Sequence, residues 1–131
     1  SCLHVGKKIL IIDDDPAFRN STTDILKGED YEVITAAKGS EGFQTAKTEK
    51  PDAILLDVMI EDAGTGLDVA KKLRDDPDTA GIPVIMLTGI RKADQLLESY
   101  APGEKWPNIK AAMEKPVEPP VLLKKLEQSI L

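Results

Sequence analysis

Cysteine, histidine and aromatic residues are all scarce in this chain of 131 residues. It contains one Cys and one His, and only 4% of its residues are aromatic. Cys2 and His4 both fall in a short N-terminal tail, which we place at residues 1–6. A single cysteine forms no internal disulfide. A zinc site or a histidine-based catalytic dyad would have almost no ligands to draw on.

Long apolar runs and clusters of basic residues are also missing. No apolar stretch approaches the roughly 20 residues that span a bilayer, and the N-terminus lacks the apolar core of a signal peptide. The net charge is -6, and the lysines and arginines are mixed with acidic residues. This pattern argues against direct contact with nucleic acid. We therefore expect a soluble, cytoplasmic protein without membrane insertion, whose charge-recognising partner is a cation.

Three short apolar runs in the chain end abruptly in polar residues. The runs cover residues 9–12, 53–56 and 84–87, and they are followed by Asp13-Asp14-Asp15, Asp57 and Thr88. Runs of this length are too short for typical helices and indicate strands buried on both faces. Such strands belong to parallel sheets, whose carboxyl ends form the usual ligand-binding edge.

Helix signals alternate with these strands along a single domain, which we place at residues 7–131. Asp15-Pro16 has the N-cap acid and first-turn proline of a helix start. Further helices are predicted to begin near Gly39, Gly66, Ala93 and Pro119, and two more strands are predicted at 31–36 and 110–113. The more polar run at 31–36 is placed at an edge. The sequence thus predicts an α/β fold with a doubly wound, five-stranded parallel sheet in the order 2-1-3-4-5, covered by five helices.

The acidic residues that follow the first and third strands are expected to converge. Asp13, Asp14 and Asp57 would repel one another unless a divalent cation neutralised them. Mg²⁺ prefers such oxygen ligands. Each residue also has a simpler interpretation: Asp13 or Asp15 as a helix cap, Asp57 as a turn residue, Thr88 as a hydroxyl bonded to the backbone. Lys115 could likewise be a solvated charge before a proline.

The sequence resembles the receiver domain of two-component response regulators. The resemblance rests on residues that each follow a predicted strand: Asp13-Asp14, Asp57, Thr88 and Lys115-Pro116. The resemblance covers nearly the whole chain and implies the flavodoxin-like form of the predicted sheet. It also implies a Mg²⁺ site. In that site Asp14 and Asp57 bind the ion directly, Asp13 acts through water, and the backbone carbonyl of Met59 adds an oxygen.

The same resemblance implies that Asp57 accepts a phosphoryl group, with Lys115 balancing its charge and Thr88 donating a hydrogen bond. The expected donor is a histidine kinase or a histidine phosphotransfer domain, and the signal would pass to a downstream protein or a fused output domain. The chain would catalyse its own phosphorylation and slow dephosphorylation. Slow dephosphorylation is expected because the two residues that flank the path of the hydrolytic water in this family are apolar in this chain. They are Met59 and Ile90.

Two other functions are compatible with parts of this pattern. A non-phosphorylated interaction module of the same fold would keep the acidic rim and signal through binding alone. A hydrolase with an aspartyl nucleophile would need a second acid two residues after Asp57, where this chain has Met59. The five matching site residues favour the phosphorylatable receiver.

The chain departs from the family pattern at three places. Ala112 stands where relatives often have an aromatic switch residue, the loop after Asp57 has one extra residue, and the segment from Thr88 to Lys115 is lengthened. We therefore expect conformational change to centre on residues 89–108, with Trp106 as a fluorescent probe. The family also has a cis peptide bond at the position of Lys115-Pro116, although an X-Pro bond favours trans by itself.

Overall fold

The fold is a five-stranded parallel sheet with helices on both faces. The computed structural model describes residues 5–59, 66–89 and 106–130. In these residues the strands are β1 (Lys8–Ile12), β2 (Glu32–Ala36), β3 (Ala53–Asp57), β4 (Val84–Thr88) and β5 (Ile109–Glu114), and the helices are α1 (Pro16–Gly28), α2 (Gly39–Glu49), α3 (Gly66–Asp75) and α4 (Pro119–Ile130). The strand order is β2-β1-β3-β4-β5. This order confirms the predicted fold class, with β2 at an edge; the helix predicted at 93–100 lies outside the described residues.

The central strands are apolar because both of their faces are covered. All five residues of β3 and of β4 are buried, as are the last four of β1. The register aligns the strand ends: Ile12 pairs with Leu56, and Asp57 pairs with Leu87. The residues that follow β1 and end β3 therefore lie side by side at one edge of the sheet.

The helices bury apolar side chains on either side of this sheet. Residues of α2 and α3 pack against one face, and residues of α1 and α4 pack against the other. The sequence of α4 predicts an apolar stripe that includes Leu122 and Leu126. Both side chains are buried, so this stripe is part of the core. Within the described parts of the chain, no helix has the length and apolar character needed to cross a membrane.

Helix α3 begins in direct contact with the end of β3. The Gly66 N–H donates a hydrogen bond of 2.9 Å to the Val58 carbonyl. A Cβ atom at Gly66 would lie 2.2 Å from the Asp57 carbonyl oxygen and 2.7 Å from the Val58 Cα. Only glycine permits this approach, so α3 supports the backbone that carries Asp57.

The other end of α3 is joined to the start of β5. The Arg74 guanidinium lies 4.7 Å from the centre of the Trp106 ring, and the Asn108 amide donates a buried hydrogen bond of 3.1 Å to the Ala70 carbonyl. Helical spacing predicts an outward position for Arg74 on α3, beside Lys71 and Lys72. Arg74 is half-buried instead, because its planar cation stacks on the tryptophan.

Candidate functional site

Three carboxylates converge at the carboxyl edge of the sheet. Asp13, Asp14 and Asp57 each offer an oxygen, and these oxygens lie within 4.8 Å of one another. Asp13 is fully buried and Asp57 is 5% exposed, whereas Asp14 is exposed. Two desolvated negative charges beside a third are costly unless a cation balances them.

Asp13 is held in place through both carboxylate oxygens. Its Oδ1 accepts a hydrogen bond of 2.9 Å from the Asp15 N–H, and its Oδ2 accepts one of 2.5 Å from the Lys115 ammonium. The Arg19 guanidinium also donates to the Asp13 carbonyl at 2.8 Å. Burial raises the pKa of Asp13 above its ordinary value, while the bonds from Lys115 and Asp15 oppose that shift and the Asp57 charge adds to it. The site thus favours additional positive charge.

Asp57 has one carboxylate oxygen fixed by the backbone and one that faces a cation. Its Oδ1 accepts a hydrogen bond of 3.0 Å from the Met59 N–H. Its Oδ2 lies 3.6 Å from the Lys115 Nζ. The following residue is anchored as well, because the Val58 N–H donates to the Leu87 carbonyl at 2.9 Å. The carboxylate of Asp57 is therefore oriented rather than free to rotate.

Lys115 and Thr88 come together because β4 and β5 are neighbours. The Lys115 N–H donates a hydrogen bond of 2.7 Å to the Thr88 carbonyl, and the Lys115-Pro116 peptide bond is cis. Thr88 is 5% exposed. The Lys115 ammonium reaches Asp13 and Asp57 and also lies 4.4 Å from the centre of the Phe18 ring.

The predicted site residues take distinct places in this arrangement. Asp13, Asp14, Asp57 and Lys115 meet at one edge, and Thr88 ends the adjacent strand. Met59 lies two residues after Asp57, but its side chain points largely into solvent, with 61% of the residue exposed. Ile90 lies outside the described residues.

The sequence predicts the role of Asp15 but not that of Phe18. Asp15 is the N-cap of α1, as predicted, and it accepts the Ala17 N–H at 3.0 Å. The position of Phe18 against the Lys115 ammonium was missed. In the sequence Phe18 recurs with Thr22, Ile25 and Leu26 at helical spacing. That spacing predicts a helix, but no local pattern pairs the phenylalanine with a lysine nearly a hundred positions later.

Comparison with known proteins gives a consistent result. Residues 9–127 match the sequence profile described as the response regulator receiver domain. The chain is 32% identical to the protein PilH of Pseudomonas aeruginosa, over 89% of this chain and 92% of that protein. A receiver domain protein of Methanospirillum hungatei, described as CheY-like, has 32% identity and a TM-score of 0.80, with 95% of this chain and 94% of that structure covered.

Other relatives are considerably longer. The chain is 35% identical to the DNA-binding response regulator MtrA of Mycolicibacterium smegmatis over 63% of its own length, but this match spans only 34% of MtrA. The DNA-binding activity in that name belongs to the longer relative. The absence of direct nucleic-acid contact by this chain stays a prediction.

Proposed function

The chain belongs to the response regulator receiver family of two-component signalling, and from that premise we propose that Asp57 is its phosphoryl acceptor. The observation that carries the proposal is the setting of the Asp57 carboxylate. It is nearly buried, oriented by the Met59 N–H and placed 3.6 Å from the Lys115 ammonium, which also bonds Asp13. A turn residue or a helix cap would need none of these features.

The transfer is a displacement at phosphorus. A carboxylate oxygen of Asp57 bonds to the phosphorus of a phosphohistidine donor, and the bond from phosphorus to the donor nitrogen breaks with its electron pair leaving on that nitrogen. The product is an acyl phosphate on Asp57. Lys115, on the Oδ2 side, balances the charge of the phosphoryl oxygens, and the Thr88 hydroxyl donates a hydrogen bond to one of them.

The ligand atoms at this site are suited to Mg²⁺. The clustered groups are carboxylate oxygens, which this hard cation prefers, and the exposed side chain of Asp14 gives the ion a route in from solvent. In our proposal Asp14 and Asp57 bind directly, Asp13 acts through water, and the Met59 carbonyl adds an oxygen. When bound, Mg²⁺ neutralises negative charge that develops on the phosphoryl oxygens.

The lifetime of the phosphorylated state follows from the residues near Asp57. The Met59 side chain is apolar and mostly exposed, so it offers no hydrogen bond that would orient an attacking water. We include slow self-catalysed dephosphorylation in the proposal for this reason.

A histidine kinase or a histidine phosphotransfer domain is the proposed donor, and a downstream protein or a fused output domain is the proposed receiver of the signal. The non-phosphorylated interaction module is not favoured. Binding alone gives no reason for a buried carboxylate with an ammonium group aimed at it.

Phosphoryl transfer from a small donor tests this function without the cognate kinase. Incubation with acetyl phosphate and Mg²⁺ is expected to give a protein-bound phosphoryl group that hydroxylamine removes, as it does from acyl phosphates. Omission of Mg²⁺ with a chelator present should reduce labelling strongly, and labelling should decay slowly after the donor is removed. A hydroxylamine-resistant label would place the modification on another type of residue and contradict the proposal.

A further inference from the structure

The Lys115 ammonium has an aromatic neighbour in addition to its carboxylate partners. The centre of the Phe18 ring lies 4.4 Å from Nζ, within the range in which the face of an aromatic ring attracts a cation. The Lys115 side chain is only 19% exposed. Partial desolvation strengthens this attraction, because less water competes for the cation.

Phe18 is held in this position by the start of α1. Asp15 caps the helix and Pro16 forms its first turn, which fixes the backbone just before the phenylalanine. The ring is half-buried and packs against the core beneath α1 and α4. The packing against the core restricts the ring, which therefore offers the lysine a fixed aromatic surface.

A fixed aromatic surface limits the conformational freedom of the Lys115 side chain. This long side chain has many rotamers, and holding it in one of them costs conformational entropy. In the structure the ammonium lies between Asp13 and Asp57, at 2.5 Å and 3.6 Å. Without the ring, conformations that turn the ammonium toward solvent become more accessible.

We propose that Phe18 is a positioning residue that holds the Lys115 ammonium against Asp57 for phosphoryl transfer. This inference rests on the proposed function, because it concerns the same site. Phe18 itself touches no reacting atom and acts through the lysine.

Replacement of Phe18 by leucine tests whether the aromatic ring, rather than apolar packing alone, positions the Lys115 ammonium. Leu keeps an apolar side chain at the same place on α1 but has no ring to attract a cation. The rate of phosphorylation of Phe18→Leu by acetyl phosphate is expected to fall about fivefold, in line with the strength of a partly desolvated cation–π contact. Phe18→Tyr retains the ring and should restore most of the rate.

A double-mutant cycle distinguishes positioning of the lysine from a general structural effect. In the Lys115→Ala background, Phe18→Leu should leave the phosphorylation rate unchanged, because there is no ammonium left to position. An equal fivefold loss in both backgrounds would show that Phe18 acts independently of Lys115 and would overturn the inference.

Nuclear magnetic resonance of the unphosphorylated protein provides a second test that does not depend on transfer. The aromatic ring should shift the Lys115 side-chain methylene signals next to Nζ in the parent and in Phe18→Tyr. Phe18→Leu should return them to ordinary lysine values, and signals that are the same in parent and Phe18→Leu would contradict the contact. A shifted lysine in a protein that acetyl phosphate fails to modify would sink the proposed function while leaving the contact itself established.

Discussion

Asp14→Ala is expected to abolish the stabilisation of the fold by Mg²⁺. An ion that binds only the native state raises the free energy of unfolding by about 2.7 kcal/mol at 100 times its dissociation constant. Asp14 is the exposed member of the cluster, whereas Asp13 already bonds Lys115 and the Asp15 N–H. The Asp14→Ala replacement therefore removes the carboxylate that is best placed to bind an arriving ion.

Urea denaturation with and without Mg²⁺ measures this effect. Without the ion, Asp14→Ala should be as stable as the parent or slightly more stable, because repulsion within the cluster is relieved. Asp24→Ala is a matched control, since Asp24 is an exposed acid on α1 away from the cluster. The control should keep the full response to Mg²⁺; an equal response in Asp14→Ala would remove Asp14 from the metal site.

Gly66→Ala is expected to destabilise the fold by about 3 kcal/mol, at the upper end of the range for overpacking. The new Cβ would meet the Asp57 carbonyl oxygen at 2.2 Å and the Val58 Cα at 2.7 Å. Both atoms belong to backbone, so neither moves without displacing the end of β3. Because Asp57 lies at that end, the variant should also bind Mg²⁺ more weakly than the parent.

Gly28→Ala serves as the control for this prediction. Gly28 ends α1, and a Cβ atom there would meet nothing within 4 Å. Alanine in a helix restricts the unfolded chain more than glycine does, so a gain of about 0.5–1 kcal/mol is expected. Denaturation of Gly66→Ala with the same midpoint as the parent would show that α3 does not support β3 as described.

Most of the sheet was predictable because its three central strands, β1, β3 and β4, are buried on both faces. The apolar run at 53–56 and the Asp57 that follows it together form β3. The ends of such runs also predicted that the acids after the first and third strands lie at one edge of the sheet. β5 was predicted too short, at 110–113. Its last residue, Glu114, is charged and exposed. The apolar pattern therefore ends one residue before the hydrogen bonding between β5 and β4 does.

The details of the site depend on contacts that are remote in sequence. Lys115 and Asp13 are 102 positions apart, and only the sheet order brings them together. The role of Phe18 was hidden because a ring that packs against the core and one that also contacts a cation leave the same helical pattern. The cis bond before Pro116 was not predictable from local preference, which favours trans.

Intact mass measurement after incubation with acetyl phosphate and Mg²⁺ tests the central claim most directly. The parent and Asp24→Asn are each expected to gain the mass of one phosphoryl group, whereas Asp57→Asn should gain none, because an amide does not act as the nucleophile. A phosphoryl group gained equally by Asp57→Asn, or a parent that gains none, would contradict the assignment of Asp57 as the phosphoryl acceptor.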